Sequence, residues 1–317
     1  VRLGAETLAV RTRAVILASG GFNRHPERRA QWLPGIPADW SPAAPGHTGQ
    51  AQDLALQAGA TMGPIHGTAA FWAPVSRRQR ADGSMAVFPH FVMDRAKPGV
   101  ITLNQRGERF LNESTSYHLF GLAMQVAHAH SPSIPAWLVA DARALRTYGL
   151  GMVRPGGKGL SPFLADGYLI EAHTLQDLAG KTGMDALTLQ ASVSRFNMLA
   201  AQGRDEDFQR GLTAYQQNLG DPDWAGHPNL GPLSDGPFYA LRLYPGDIGA
   251  CTGLQTDEQA RLLDAAGVPL PGLYAVGNDM QSIMGGAYPA PGITIGPGMV
   301  FAWIAARSAL AGGGHQT

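Results

Sequence analysis

Residues 14–22 read AVILASGGF, in which a short apolar run at 14–18 is followed directly by Ser19, Gly20 and Gly21. A continuous apolar run of this length indicates a strand buried on both faces, as in a parallel sheet, and the glycines indicate a tight loop after it. A similar run, GLYAVG, occupies 272–277. Because the two best candidates for parallel strands lie at opposite ends of the chain, we predict one sheet domain interrupted by an inserted α+β domain at about 77–248.

The remaining elements are predicted from periodicity and from glycine positions. Leu189, Val193, Phe196 and Ala200 share one face of a helix that should end at Gly203. The other predicted elements are helices at 51–58, 118–128 and 296–310, two strands within 87–103, and strands at 108–112, 136–140 and 262–264.

Composition excludes several classes of protein. The 317 residues carry 24 basic and 24 acidic side chains, so no net charge favours nucleic acid or anionic lipid. The single cysteine, Cys251, excludes an intrachain disulfide and suits a reducing compartment. No apolar run is long enough to span a membrane, and we therefore expect the cytoplasm.

The most unusual stretch is MGGAYPAPGITIGPG at 284–298, which has five glycines and three prolines. Such a composition indicates that a ligand or another chain segment contacts the backbone closely. Pro297 suits the first position of the helix that follows, and the N-terminus of that helix would favour a group that becomes anionic. Tyr117 and Tyr288 lie beside polar loops, and each is either a proton-transfer group or a packed ring with one hydrogen bond.

The segments AVILASGGF, GHTGQAQDLALQAGA, NQRGERFLNE and GLYAVGN occur in this order, and together they resemble the fumarate reductase and 3-ketosteroid dehydrogenase family of flavoproteins. Tyr117 stands where fumarate reductases carry a proton-donating Arg, and the 249–253 segment has no His, so the resemblance disfavours fumarate reduction. The stretches DPDWAGHPNLGPLSDGPFYALRLYPGDIGACTGLQTD and YPAPGITIGPGMVFAWIAAR resemble the 3-oxosteroid 1-dehydrogenase group.

This resemblance implies FAD as cofactor and removal of two hydrogens beside a ring ketone. By resemblance, Tyr117 accepts the proton and flavin N5 accepts the hydride, while Tyr288 and the backbone N–H of Gly292 bind the carbonyl oxygen. It also implies a set of flavin contacts: Ser19, Gly20, Gly21, Asp53, Asn278, Thr294 and Ile295. The implied fold is α/β, with a partial Rossmann-like FAD-binding domain at 1–76 and 249–317 and an inserted catalytic domain at 77–248.

The family pattern begins with a G-x-G-x-x-G fingerprint and an acidic residue that binds the ribose, and this sequence has neither at its start. We therefore expect a further N-terminal segment or a partner subunit. The expected partners are a small apolar, steroid-like ketone and an external electron acceptor. Two alternatives remain open: a reductase of an unsaturated acid, and a non-catalytic fragment that needs the missing part.

Overall fold

The computed structural model describes residues 2–3 and 6–311. The chain divides into two compact units. The first comprises Val1–Gly35, Ala43–Phe71 and Gly249–Thr317, and the second comprises Ile36–Pro42 and Trp72–Ile248.

In the described part of the chain, the strands are β1 (Arg2–Leu3), β2 (Glu6–Thr7), β3 (Val15–Leu17), β4 (Ala70–Gln79), β5 (Met85–Pro89), β6 (Val100–Leu103), β7 (Ala136–Asp141), β8 (Ile170–Ala172), β9 (Phe238–Ala250), β10 (Arg261–Leu263) and β11 (Pro269–Ala275). The helices are α1 (Pro26–Trp32), α2 (Gln50–Gln57), α3 (Tyr117–His128), α4 (Ala142–Tyr148), α5 (Ser161–Ala165), α6 (Leu175–Thr182), α7 (Ala186–Gln202), α8 (Ala214–Asn218) and α9 (Ile295–Ala311).

A small sheet with the strand order β10-β11-β3 organises the first unit. Strand β3 pairs in parallel with β11, with Val15 opposite Leu273 and Leu17 opposite Ala275. Strand β10 adds an antiparallel hairpin, and α9 packs against β11. The predicted α/β fold class, with its parallel pair from the two ends of the chain, is confirmed.

The second unit is built on a sheet with the strand order β5-β4-β9-β7-β6, to which β8 adds beside β9. Strands β4 and β5, β6 and β7, β7 and β9, and β8 and β9 pair antiparallel. Successive residues of β7 point to opposite faces, as the two-residue period of a strand requires. Leu138 and Ala140 pack with Phe120 and Met124 of α3. Trp137 and Val139 lie in the other core, which α6 and α7 supply with these residues: Leu178, Leu189, Val193 and Phe196.

Helix α7 begins and ends at residues that are typical helix caps. The Asp185 side chain accepts a hydrogen bond from Thr188 N at 2.8 Å, which caps the helix, and Gly203 ends it with a φ of 69°. The predicted buried face of α7 is confirmed by the burial of Leu189, Val193 and Phe196.

Three local predictions were wrong. Segment 108–112 is not a strand: after the turn at 105–107 only Arg109 forms an isolated antiparallel bridge, with Leu103. Strand β3 is not buried on both faces, since Val15 and Ile16, which point to opposite faces, are 41% and 39% exposed. Helix α9 begins at Ile295, so Pro297 is its third residue. Its missing N–H still falls in the first turn and costs no helical bond.

The predicted domain limits differ from the two units at two places. Residues 72–76 group with the second unit, in which β4 continues to Gln79, and so does Ile36–Pro42. Within the second unit the Ser41 hydroxyl donates to the carbonyl of Asp247 at 2.8 Å, which holds the 36–42 segment there. The assignment of FAD to one domain and of substrate to the other stays a prediction.

Candidate functional site

The loop after β3 is tied to the 3₁₀ turn Gly277–Asp279 by one buried carboxylate. Asp279 is fully buried and accepts hydrogen bonds from Ser19 Oγ at 2.9 Å and from Gly21 N at 3.0 Å, and also from Ser19 N. Sequence reasoning missed Asp279, although an acidic residue directly after the predicted contact Asn278 was a usable signal. The structure thus brings Ser19, Gly21 and Asn278 together.

Gly21 is required by this close approach. Its φ is 87°, and a Cβ built on it would lie 2.6 Å from the carbonyl oxygen of Asn278. L side chains rarely adopt such a φ. The backbone of the loop can therefore reach the turn only with glycine at this position.

We expect Gly21→Ala to destabilise the protein more than Gly35→Ala does. Both glycines have positive φ values, 87° and 75°, so both variants carry a backbone cost of about 1–2 kcal/mol. The Cβ at 21 also collides with Asn278, whereas nothing lies within 4 Å of a Cβ at 35. Urea unfolding measures both, and equal losses of stability would show that the contact with Asn278 is unimportant.

His47 covers the neighbouring glycine of the same loop. Its imidazole ring fills the place where a Cβ of Gly20 would lie, and Gly20 has a φ of 101°. The Nδ1 atom of His47 is buried and has no hydrogen-bond partner among the described residues. Sequence reasoning noted the glycine loop at 46–49 but not this histidine.

A depression in the first unit is lined by two of the predicted cofactor contacts. Asn278 and Thr294 line it, together with the first turn of α9 at Pro297 and Gly298. Sequence reasoning missed the other residues of its wall: Phe71, Ala250, Gly277, Met280, Gln281, Ser282, Ile283, Ile293 and Phe301. Ile295 is 67% exposed at the start of the helix.

Three glycines in or near the segments that form this depression border open space. Nothing lies within 4 Å of a Cβ built on Gly277, Gly292 or Gly296. A ligand can approach such a backbone closely, and the start of α9 offers N–H groups and a positive partial charge. These backbone groups therefore fit a cofactor with an anionic edge.

Asp53 is placed differently from the other predicted contacts. It lies on α2, and its carboxylate accepts from Arg28 Nη2 at 2.5 Å and lies 3.3 Å from His25 Nε2. This pairing ties α2 to α1. A cofactor contact by Asp53 stays a prediction.

Tyr288 is held by packing within the first unit. It is 8% exposed, and its ring meets that of Phe71 edge-on with centroids 4.8 Å apart. The preceding Gly286 lies directly against the carbonyl of His66, where a Cβ would not fit. Gly286 and Phe71 therefore fix the path of the chain that carries Tyr288 and, four residues later, Gly292.

Tyr117 lies in the second unit as the first residue of α3. The Ser116 hydroxyl caps this helix by accepting from Leu119 N at 3.2 Å. Tyr117 is 4% exposed, and its ring packs on Phe91 with centroids 4.8 Å apart. The adjacent His118 accepts from Trp72 N at 3.2 Å, which anchors the same turn to β4.

The NQRGERFLNE segment contributes a buried ion cluster to the second unit. Glu113 is fully buried and pairs with Arg109 at 2.8 Å and with Arg210 at 3.2 Å, and Arg109 also bonds Asp205 at 2.9 Å. Burial raises the pKa of the Glu113 carboxyl, but the two guanidinium groups outweigh it and hold the pKa below its ordinary value. The motif thus has a structural role in this unit.

A second buried network contains Ser76, His90 and Asp94. His90 Nδ1 lies 2.7 Å from Asp94 Oδ2, and His90 Nε2 lies 2.8 Å from Ser76 Oγ. Ser76 is only 1% exposed, and its hydroxyl already forms a hydrogen bond with the Tyr168 hydroxyl at 2.7 Å. Because no substrate reaches this hydroxyl, the arrangement does not support hydrolysis by a serine triad.

Cys251 is a small buried thiol, as the sequence predicted. It is 1% exposed, and its Sγ donates to the carbonyl of Thr68 at 3.1 Å. Burial raises the pKa of the thiol to about 12, so it is not a nucleophile at neutral pH.

Within residues 2–3 and 6–311, no helix has the length and apolar character of a membrane span.

Comparison with known proteins places this geometry in a family. The chain is 37% identical over 295 residues to 4-oxocyclohex-2-ene-1-carboxylate 5-dehydrogenase from Sinomonas cyclohexanicum, covering 92% of this chain and 50% of the relative. It is 37% identical over 310 residues to 3-oxosteroid 1-dehydrogenase from Mycobacterium tuberculosis, covering 95% and 54%. The chain spans about half the length of these relatives.

A solved structure agrees with these relatives. The fold matches 3-ketosteroid Δ1-dehydrogenase from Sterolibacterium denitrificans, in complex with 1,4-androstadiene-3,17-dione, with a TM-score of 0.86 and 36% identity over 94% of this chain and 53% of the other. The family model for the FAD binding domain matches residues 2–295 of this chain. The resemblance found in the sequence and the predicted cofactor, FAD, are therefore confirmed, and the chain belongs to the family of FAD-binding domains.

Proposed function

We propose that the protein containing this chain is an FAD-dependent dehydrogenase that forms a carbon–carbon double bond next to the carbonyl of a 3-ketosteroid or a similar cyclic ketone. The observation that carries this proposal is 37% identity, over nine-tenths of the chain, to dehydrogenases of both a steroid and a monocyclic ketone. The buried tyrosines Tyr117 and Tyr288 stand at the positions that the resemblance assigns to the chemistry.

The second unit supplies the proton acceptor in this proposal. A hydrogen on the carbon next to a ketone is acidic, and the Tyr117 phenolate accepts it. Tyr117 is the first residue of α3, and the N-terminus of a helix carries a positive partial charge. Burial against Phe91 keeps the ring in one orientation.

The first unit supplies the groups that stabilise the enolate. The Tyr288 hydroxyl and the Gly292 N–H donate to the carbonyl oxygen, and two such donors are worth about 3 kcal/mol each as negative charge develops. Bound FAD supplies the acceptor for the second hydrogen, which leaves as a hydride. Ser19, Gly20, Gly21, Asn278, Thr294 and Ile295 hold this cofactor in the proposal.

The substrate in this proposal is a small apolar ketone, the electrons pass on to an external acceptor, and the protein acts in the cytoplasm. Turnover of a 3-ketosteroid, of 4-oxocyclohexanecarboxylate and of fumarate with a reduced dye distinguishes the substrate classes. Ketone dehydrogenation supports the proposal, whereas fumarate reduction alone would replace it with the reductase alternative.

FAD retention tests the remaining alternative, a non-catalytic fragment that needs a partner segment. We expect flavin absorbance in the protein that contains this chain together with a dinucleotide fingerprint. A colourless protein that stays colourless after FAD is added and dialysed away would support the non-catalytic alternative.

A further inference from the structure

The side chain of Arg95 joins two segments of the second unit that are distant in sequence. Arg95 is fully buried, and its Nε and Nη2 atoms donate to the carbonyls of His90 at 3.0 Å and Phe91 at 2.9 Å. Its Nη1 atom donates to the carbonyl of Glu113. One guanidinium group therefore fixes the backbone of Phe91 relative to the strand-to-helix connection that leads to Tyr117.

The two segments meet again through their aromatic rings. The Phe91 and Tyr117 rings lie at 58° with centroids 4.8 Å apart. Phe91 is 36% exposed, whereas Tyr117 is 4% exposed. The Arg95 guanidinium carbon also lies 5.3 Å from the ring centroid of Phe120, one turn after Tyr117 on α3. The Arg95 guanidinium group thus contacts both the backbone carbonyl of Phe91 and the helix that begins with Tyr117.

A second set of hydrogen bonds, around Asp94, holds the segment that carries Phe91. Asp94 accepts from Arg95 N at 2.7 Å and from Gly151 N at 2.8 Å, and its carboxylate pairs with His90. These bonds hold His90, Asp94 and Arg95, which flank the partly exposed Phe91 along the chain.

We propose that Arg95 is a positioning residue for Tyr117: by holding the carbonyls of Phe91 and Glu113, it sets the place of the Phe91 ring and so the orientation of the Tyr117 ring. The proposal deepens the proposed function, on which its consequence for turnover rests. A guanidinium group is needed because three of its nitrogen atoms are used in a fixed planar geometry. The ammonium group of a lysine is a compact point donor and does not reproduce this fork.

The test is a fluorine NMR signal at residue 117 of the FAD-loaded protein. Tyr117 is replaced by 3-fluorotyrosine, and Arg95→Lys, Phe91→Leu and Arg143→Lys are each added to this background. Arg143 is the matched control, because its guanidinium group also donates to a backbone carbonyl, that of Pro98 at 3.0 Å, and packs on an aromatic ring, that of Trp224. We expect the resonance to move or broaden in Arg95→Lys and Phe91→Leu and to stay in place in Arg143→Lys.

An unmoved resonance in Arg95→Lys, in protein that stays folded, would overturn the proposal. If Arg95→Lys does not fold, Arg95→Gln replaces it, since the amide keeps one planar donor group without a buried charge. A resonance that is unmoved by folded Arg95→Gln, or by Phe91→Leu, would equally overturn the proposal.

Kinetics separate this proposal from the proposed function. In Arg95→Lys with Tyr117 intact, we expect kcat per bound flavin to fall by about 10²-fold, as misplacement of a reacting group by about 1 Å does, with KM nearly unchanged. A moved resonance with unchanged kcat would leave the positioning intact but contradict the role of Tyr117 as proton acceptor. An unchanged resonance with lowered kcat would instead overturn the positioning.

Discussion

Replacing Tyr117 with Phe is expected to lower turnover of a 3-ketosteroid by about 10²–10⁴-fold, the usual contribution of a positioned acid or base. The variant keeps the ring that packs on Phe91 and loses only the hydroxyl. Steady-state kinetics per bound flavin measure the loss, which should fall on kcat. The visible spectrum of the bound FAD should not change.

The control for this variant is Tyr148→Phe in the same unit. The Tyr148 hydroxyl donates to Asp221 at 2.6 Å, so this change also removes a half-buried hydroxyl and its hydrogen bond. We expect turnover per flavin to stay at the parent rate. If Tyr117→Phe also dehydrogenates at the parent rate, the proton acceptor is another group and the proposed mechanism is wrong.

Removing the charge of Glu113 is expected to destabilise the protein by about 3–5 kcal/mol, because Glu113→Gln leaves Arg210 buried without its carboxylate. An exposed pair in the same unit gives the comparison: Arg195 is 45% exposed and bonds Asp207 at 2.8 Å. We expect Arg195→Ala to cost about 0–1 kcal/mol. Denaturant unfolding measures both variants, and similar small losses would show that the buried cluster contributes little.

The Glu113 cluster also predicts a pH dependence. Since the folded state holds the pKa of Glu113 below its ordinary value of 4.5, the contribution is complete above that value and is lost as the pH falls through the lower folded-state pKa. The parent should lose stability on acidification more steeply than Glu113→Gln. Parallel acid curves for the two proteins would contradict this linkage.

Local patterns in the sequence were sufficient for the elements that frame the site. The apolar runs at 14–18 and 272–277 do form the parallel pair β3 and β11, and the periodicity that ends at Gly203 does form α7. Each of these depends on neighbours along the chain. Burial of β3 depends on what covers its faces, and here the prediction was wrong because Val15 and Ile16 are partly exposed.

Side-chain contacts between distant residues were not predictable in this way. Asp279 bonds a loop about 260 positions earlier in the chain, and Arg95 reaches Glu113 across 18 positions. The false strand at 108–112 has a related cause, because Arg109 belongs to a buried cluster with Glu113 and Asp205.

The central claim is that a ketone substrate delivers hydrogen to FAD held by a protein with this chain. The most direct measurement mixes the FAD-loaded protein, without oxygen, with a 3-ketosteroid that has a single bond between C1 and C2 and follows the visible absorbance of the flavin. We predict that the absorbance bleaches as the steroid gains its double bond, and that Tyr117→Phe bleaches far more slowly. Flavin that stays oxidised in the parent protein, with both 3-ketosteroid and 4-oxocyclohexanecarboxylate present in excess, would contradict the account.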